Sequence, residues 1–216
     1  MKQSSLDIIN DLLRSSPRLE PCRADITAAV CTLIECYNGG GMLLICGNGG
    51  SAADSGHIVG ELMKEFRVKR PVPPEIREAL RAADPQTADY LADHLQCALP
   101  AISLADHTAL ITAFVNDAAA DMVFAQQVFG YGKGGDCLLG ISTSGNSANV
   151  VNALKVAKAL NIHTIGMTGA SGGKMGGVCD INISVPAVET YLIQEMHLPI
   201  YHALCAMVEA EFWGAA

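Results

Sequence analysis

The chain is short of charge: 17% of its 216 residues are Asp, Glu, Lys or Arg, against 50% hydrophobic. That balance supports a deep core and excludes long disorder, because a chain this apolar can bury enough surface to offset its ordering entropy. Basic residues are the scarcer sign, 14 Lys plus Arg against 22 Asp plus Glu, for a formal charge of −8. A nucleic-acid surface needs a basic stripe, so no nucleic-acid partner is expected. A small anion is still admissible, since the N–H groups at helix N-termini attract it without net positive charge. Apolar runs of the roughly 18 residues a membrane span needs are missing. So is an apolar signal core behind Met-Lys-Gln-Ser-Ser. A cytoplasmic protein with no membrane partner is the expectation. The eight cysteines (Cys22, Cys31, Cys36, Cys46, Cys97, Cys137, Cys179, Cys205) form no CxxC pair and no metal-knuckle spacing. Most lie in apolar runs, where a reduced thiol behaves as a small hydrophobe.

What is present reads as one domain over 1–216, with helices in 1–38 and an inserted helical segment at 74–98. Apolar residues at helical spacing (Ile8, Ile9, Leu12, Leu13; then Ile26, Val30, Leu33, Ile34) predict helices over 5–14 and 22–37, parted by Pro17 and Pro21. Met42 to Cys46 is a short continuous apolar run, as in a strand buried on both faces. A helix to about Arg67 follows, then two short amphipathic helices over 75–97 divided by Pro85. Further strands are predicted at 101–104, 136–141, 164–167 and 180–185. Helices are predicted at 106–115, 119–130, up to about 160, and over 188–213. Strands alternating with helices give an α/β fold, a parallel sheet covered by helices on both faces, with ligands bound beyond the strand C-termini.

Two strand–loop–helix units share one build. The first strand ends in Gly47-Asn48-Gly49-Gly50-Ser51, the third in Ser142-Thr143-Ser144-Gly145-Asn146-Ser147. Glycines let the backbone approach a ligand closely, and hydroxyls add donors to the free N–H groups of the following helix turn. Four hydroxyls at one helix start suit the oxygens of a phosphomonoester. The competing reading makes Ser51 and Ser147 plain N-caps, but hydroxyls exceed what capping needs. No GxxxxGK[ST] is present, and Ala52 breaks a GxGxxG, so no nucleotide cofactor is expected.

These residues carry a resemblance. Cys-Gly-Asn-Gly-Gly-Ser-Ala-Ala-Asp (46–54), Gly-Ile-Ser-Thr-Ser-Gly-Asn-Ser-Ala-Asn-Val (140–150), Thr-Gly-Ala-Ser-Gly-Gly-Lys-Met (168–175) and Ile-Gln-Glu-Met-His (193–197) resemble the phosphoheptose isomerase branch of the SIS (sugar isomerase) family. The likeness covers nearly the whole chain outside about 74–98. It implies a three-layer SIS fold with a five-stranded parallel sheet, and a homotetramer with active sites shared between subunits. The implied reaction is aldose–ketose isomerisation of a sugar phosphate, such as sedoheptulose 7-phosphate. By position it places phosphate on Ser51, Ser142, Thr143, Ser144 and Ser147, beside Gly49 and Gly50, with Asn48, Asp117 and Gln194 along the sugar. Some members carry zinc, which implies one Zn2+ per active site held by His57, Glu61, Gln194 and His202.

His57 and Glu61 lie four apart on a helix, on one face, which permits joint metal ligation or an acid–base pair. Glu61 is assigned as the base and His202 as its acid–base partner. Gln194 and His202 are about 12 Å apart along an ideal helix, and Pro199 between them removes a helical hydrogen bond. The resemblance also includes a non-catalytic adaptor type (the DiaA type) that lacks acid–base residues at the positions of Glu61 and His202; both are present here, which favours an enzyme. Heptose isomerases commonly place Arg where this chain has Glu65 and Asp where it has Tyr191, so a different phosphosugar is an alternative.

Overall fold

Alternation inside the strands sets the layers. In β1 (Leu43–Gly47), Leu43 and Ile45 face one helical layer while Leu44 and Cys46 face the other. The same alternation in β3 (Cys137–Ile141) sends Cys137, Leu139 and Ile141 to the first layer and Leu138 to the second. With β2 (Ala101–Ser103), β4 (His163–Thr168) and β5 (Ile181–Ser184) they form a parallel sheet of order β2-β1-β3-β4-β5. The computed structural model describes residues 1–214. This is the five-stranded, helix-flanked α/β fold expected from the sequence.

The first layer packs α1 (Gln3–Ser15), α2 (Arg23–Asn38), α3 (Gly50–Met63) and α9 (Thr190–Trp213) against the sheet. The second is built from α7 (Val123–Tyr131) and α8 (Ala148–Ala159), with α6 (Thr108–Asp117) at its margin. The segment between α3 and β2 forms a hairpin of α4 (Pro74–Ala83) and α5 (Ala88–His94). No residue of α4 is buried, and Arg77 and Arg81 pair with Asp89 and Asp93 of α5. Among the described residues, no helix is long and apolar enough to cross a membrane.

The predicted helix to about Arg67 stops four residues early, at Met63. Its last carbonyls have a stronger claimant than the next turn. The guanidinium of Arg70 donates to the carbonyls of Glu61 (3.2 Å) and Leu62 (2.7 Å), while the N–H groups of Phe66, Arg67 and Val68 turn to the Glu209 carboxylate. Orphan helix-end carbonyls are thereby satisfied by a side chain. At the other end of the chain α9 passes through Pro199 as one helix.

Candidate active site

Register brings the two glycine–serine loops together. Gly47, the last residue of β1, pairs with Ile141, the last of β3, so both loops leave the sheet at one level. The side-chain amides of Asn48 and Asn149 then exchange two hydrogen bonds across the gap, at 3.0 and 2.9 Å. Ser147 makes no side-chain cap to α8; its hydroxyl meets that of Ser142 at 2.9 Å. Ser144 accepts from the Asn146 N–H, and Gly145 has φ +66°. A Cβ at Gly145 would come within 3.0 Å of the backbone of Gly172 and Gly173, so the loop after β4 backs the loop after β3 without space for a side chain. Gly49, with φ +56°, turns the chain into α3. The N-termini of α3 and α8 thus open side by side, with the Ser142, Ser144 and Ser147 hydroxyls in the second loop and Ser51 in the first turn of α3.

His57, Glu61 and His202 gather elsewhere, between α3 and α9. These helices run side by side at a nearly constant offset: Gly50 lies against Gln194 and His57 bonds Tyr201, while just past α3 Phe66 bonds Glu209. His57 Nε2 stands 3.2 Å from Glu61 Oε1, and the His57 and His202 rings are 5.0 Å apart, edge to face. Glu61 Oε2 is buried without a hydrogen-bond partner. Burial holds the His202 imidazole below its ordinary pKa, and His57 pushes the same way against the opposing pull of Glu61 and Asp54. The shift favours the neutral imidazole, which has one nitrogen to donate and one to accept. Burial raises the Asp54 carboxyl, partly offset by the Tyr201 hydroxyl.

Gln194 goes with the loops: a Cβ on Gly50 would meet its Nε2 at 2.5 Å. His202 is eight residues further along α9, about 12 Å away at helical rise. Among the described residues no three His, Cys, Asp or Glu side chains converge as a metal site requires. The nitrogen and carboxylate donors are of a type zinc accepts, but in this arrangement they do not form a site for it. Asp117 ends α6 on the surface, its carboxylate accepting from Asn116 at 2.8 Å. The Glu65 N–H is held by Gln96, and Tyr191 is exposed.

Sequence reasoning missed four residues here. Tyr201 and Asp54 flank His57, while Arg70 and Glu209, both fully buried and 2.7 Å apart, lock the end of α3 to α9. A glutamate in the apolar run of α9 was the available signal for Glu209, since a charge is rarely fully buried unless paired.

A parallel five-stranded sheet with paired glycine–serine loops at its carboxyl edge and a His57–Glu61–His202 cluster between α3 and α9 defines an SIS-type sugar-phosphate protein. The SIS domain model matches residues 12–95 and 89–169, the two pieces overlapping within the α4–α5 hairpin region. A phosphoheptose isomerase of Aliarcobacter butzleri is 42% identical over 178 residues, 82% of this chain and 80% of that protein. One from Aneurinibacillus thermoaerophilus is 38% identical over 96% of this chain and 89% of its own length. The solved structure of the phosphoheptose isomerase GmhA from Neisseria gonorrhoeae superposes with a TM-score of 0.73 at 32% identity, covering 94% of this chain and 95% of that one. The chain belongs to the SIS domain family, in its phosphoheptose isomerase branch.

Proposed function

We propose that this protein is an aldose–ketose isomerase for a sugar phosphate, with a seven-carbon ketose such as sedoheptulose 7-phosphate as the favoured substrate. The observation that carries the reading is the meeting of Glu61 and His202 around the single His57 ring. The phosphoheptose isomerase relatives support the substrate class. Phosphate is held by the N–H groups opening α3 and α8 and by the hydroxyls of Ser51, Ser142, Thr143, Ser144 and Ser147. Asn48, Asp117 and Gln194 line the sugar.

Glu61 removes a proton from the carbon beside the carbonyl. The C–H pair becomes the C=C bond of an enediol, and the carbonyl oxygen is protonated by the His202 ring. His202 then takes the proton of the neighbouring hydroxyl as Glu61 returns its proton to the former carbonyl carbon. Each group ends as it began. Positioned acid–base groups of this kind are worth roughly 10²–10⁴-fold in rate. Some members of the family carry zinc, which His57, Glu61, Gln194 and His202 would hold; here Gln194 of α9 lies beside the start of α3, away from the other three, and no step is routed through a metal.

Ten residues of helix separate Ser51 from Glu61, about 15 Å at helical rise. An extended heptose phosphate spans about 9 Å from its reactive carbon to phosphorus, taking bonds of about 1.5 Å. That mismatch supports a homotetramer in which loops and acid–base residues of different subunits complete each site. The eight free cysteines support a reducing, cytoplasmic setting.

The test is conversion of five-, six- and seven-carbon ketose phosphates to aldoses, with metal analysis of the same sample. Glu61→Gln and His202→Gln should each lower turnover at least 100-fold with the melting curve retained. Near-normal turnover in either variant removes that residue from the mechanism; phosphosugar binding with no turnover of any ketose identifies a non-catalytic family member instead.

A further inference from the structure

We infer that Asn149 is a positioning residue that fixes the side-chain amide of Asn48, so that Asn48 presents one N–H and one lone pair in a set order to a hydroxyl of the sugar. The inference rests on the reading of Asn48 as a sugar-lining residue. The two side chains belong to different strand–loop–helix units, 101 positions apart in the chain. Asn48 Nδ2 donates to Asn149 Oδ1 at 3.0 Å, and Asn149 Nδ2 donates to Asn48 Oδ1 at 2.9 Å. Such a pair by itself permits both amides to be turned over together, oxygen for nitrogen on each side. A third bond forbids it. The backbone N–H of Val150 donates to Asn149 Oδ1 at 3.0 Å, and an amide nitrogen could not take that proton. With Asn149 fixed, its nitrogen must meet the Asn48 oxygen, and both amides have one orientation.

The closed pair of bonds engages one N–H and one lone pair of Asn48, and one of each remains. Asn48 is exposed and Asn149 half-buried, so the remaining groups of Asn48 are free to meet a ligand. A sugar hydroxyl both donates and accepts, and it matches the two together. The Val150 N–H lies in the first turn of α8. It is bonded to Asn149 and does not reach for the anion, so the start of α8 orders a partner of the sugar as well as the phosphate. An unheld asparagine would lose side-chain freedom when the sugar arrives; Asn48 has lost it beforehand.

The test is the apparent dissociation constant of sedoheptulose 7-phosphate, by calorimetry, for the parent, Asn48→Ala, Asn149→Ala and the double variant. Asn48→Ala should weaken binding about 10-fold, and Asn149→Ala about 5-fold, near the worth of one neutral hydrogen bond. The double variant should bind within about 2-fold of Asn48→Ala, because Asn149 then has nothing to position. Inorganic phosphate should shift the melting temperature of Asn149→Ala as it shifts the parent's. An equal cost of Asn149→Ala with and without the Asn48 side chain makes Asn149 an independent contact and overturns the inference. A changed response to inorganic phosphate makes it a prop for the loops and overturns it too. Parental binding by Asn48→Ala removes Asn48 from the sugar site, and the inference falls with that reading. Binding without turnover of any ketose ends the isomerase reading alone, and the cycle still decides the role of Asn149.

Discussion

Burial pushes the His197 imidazole down to about 4 from 6.5: the ring is fully enclosed, Nε2 meets only the Thr168 carbonyl at 3.3 Å, and Nδ1 has no partner. The folded state therefore favours the neutral form. Its contribution is present above the ordinary histidine value and is lost as pH falls through the folded one, up to about 3 kcal/mol in all. Urea midpoints measured between pH 6.5 and 4 should fall steadily, and His197→Gln should flatten that slope. A parental slope in the variant would assign the acid sensitivity to other groups. At this scale His57 and Glu61 were legible, because i and i+4 share a helix face in any setting. Tyr201 and Asp54 were not, since a tyrosine hydroxyl acquires its partners only from the helix packed beside it.

The junction of α3 and α9 depends on a buried ion pair. Arg70 spreads its donors over Glu209 and the carbonyls of Glu61 and Leu62, with Trp213 stacked 4.7 Å from the guanidinium carbon. Removing one partner strands the other charge in the core, at about 3–5 kcal/mol. Arg70→Met should lower the unfolding midpoint accordingly and reduce kcat as well, because the carbonyl it holds belongs to Glu61. A parental melt would show that the pair is dispensable. The loop after β3 makes a second prediction. Gly145→Ala forces a Cβ to 2.2 Å from the Gly172 carbonyl oxygen at a positive φ. Thermal stabilisation by inorganic phosphate should disappear in this variant, by differential scanning fluorimetry, while the core strands remain folded. The glycine–serine composition of the loops was readable in the sequence. The close backing by Gly172 and Gly173 was not, because they lie 27 and 28 positions along the chain.

Across the whole molecule, the glycine–serine loops and the Glu61–His202 cluster stand toward opposite ends of α3. Mixed oligomers test whether subunits complete each other. A Ser142→Ala/Ser144→Ala chain and a Glu61→Gln chain, each inactive alone, should regain measurable turnover when co-expressed; no regain would place a complete site in every chain. The sequence by itself determined the layers and the glycine–serine loops. Short apolar runs alternating with helical periodicity admit few folds, and Gly and Ser at a strand end act through backbone geometry that is local. The resemblance also pointed to Glu61 and His202 as an acid–base pair, an assignment that the Glu61→Gln and His202→Gln variants test. Only the tertiary structure decided where α3 ends, that Gln194 joins the loops rather than the histidines, and that the Tyr201 hydroxyl stands between His57 and Asp54. Each of these follows from the alignment of α9 along α3, an outcome of packing between segments some 144 residues apart, on which neighbouring residues in the chain have no bearing.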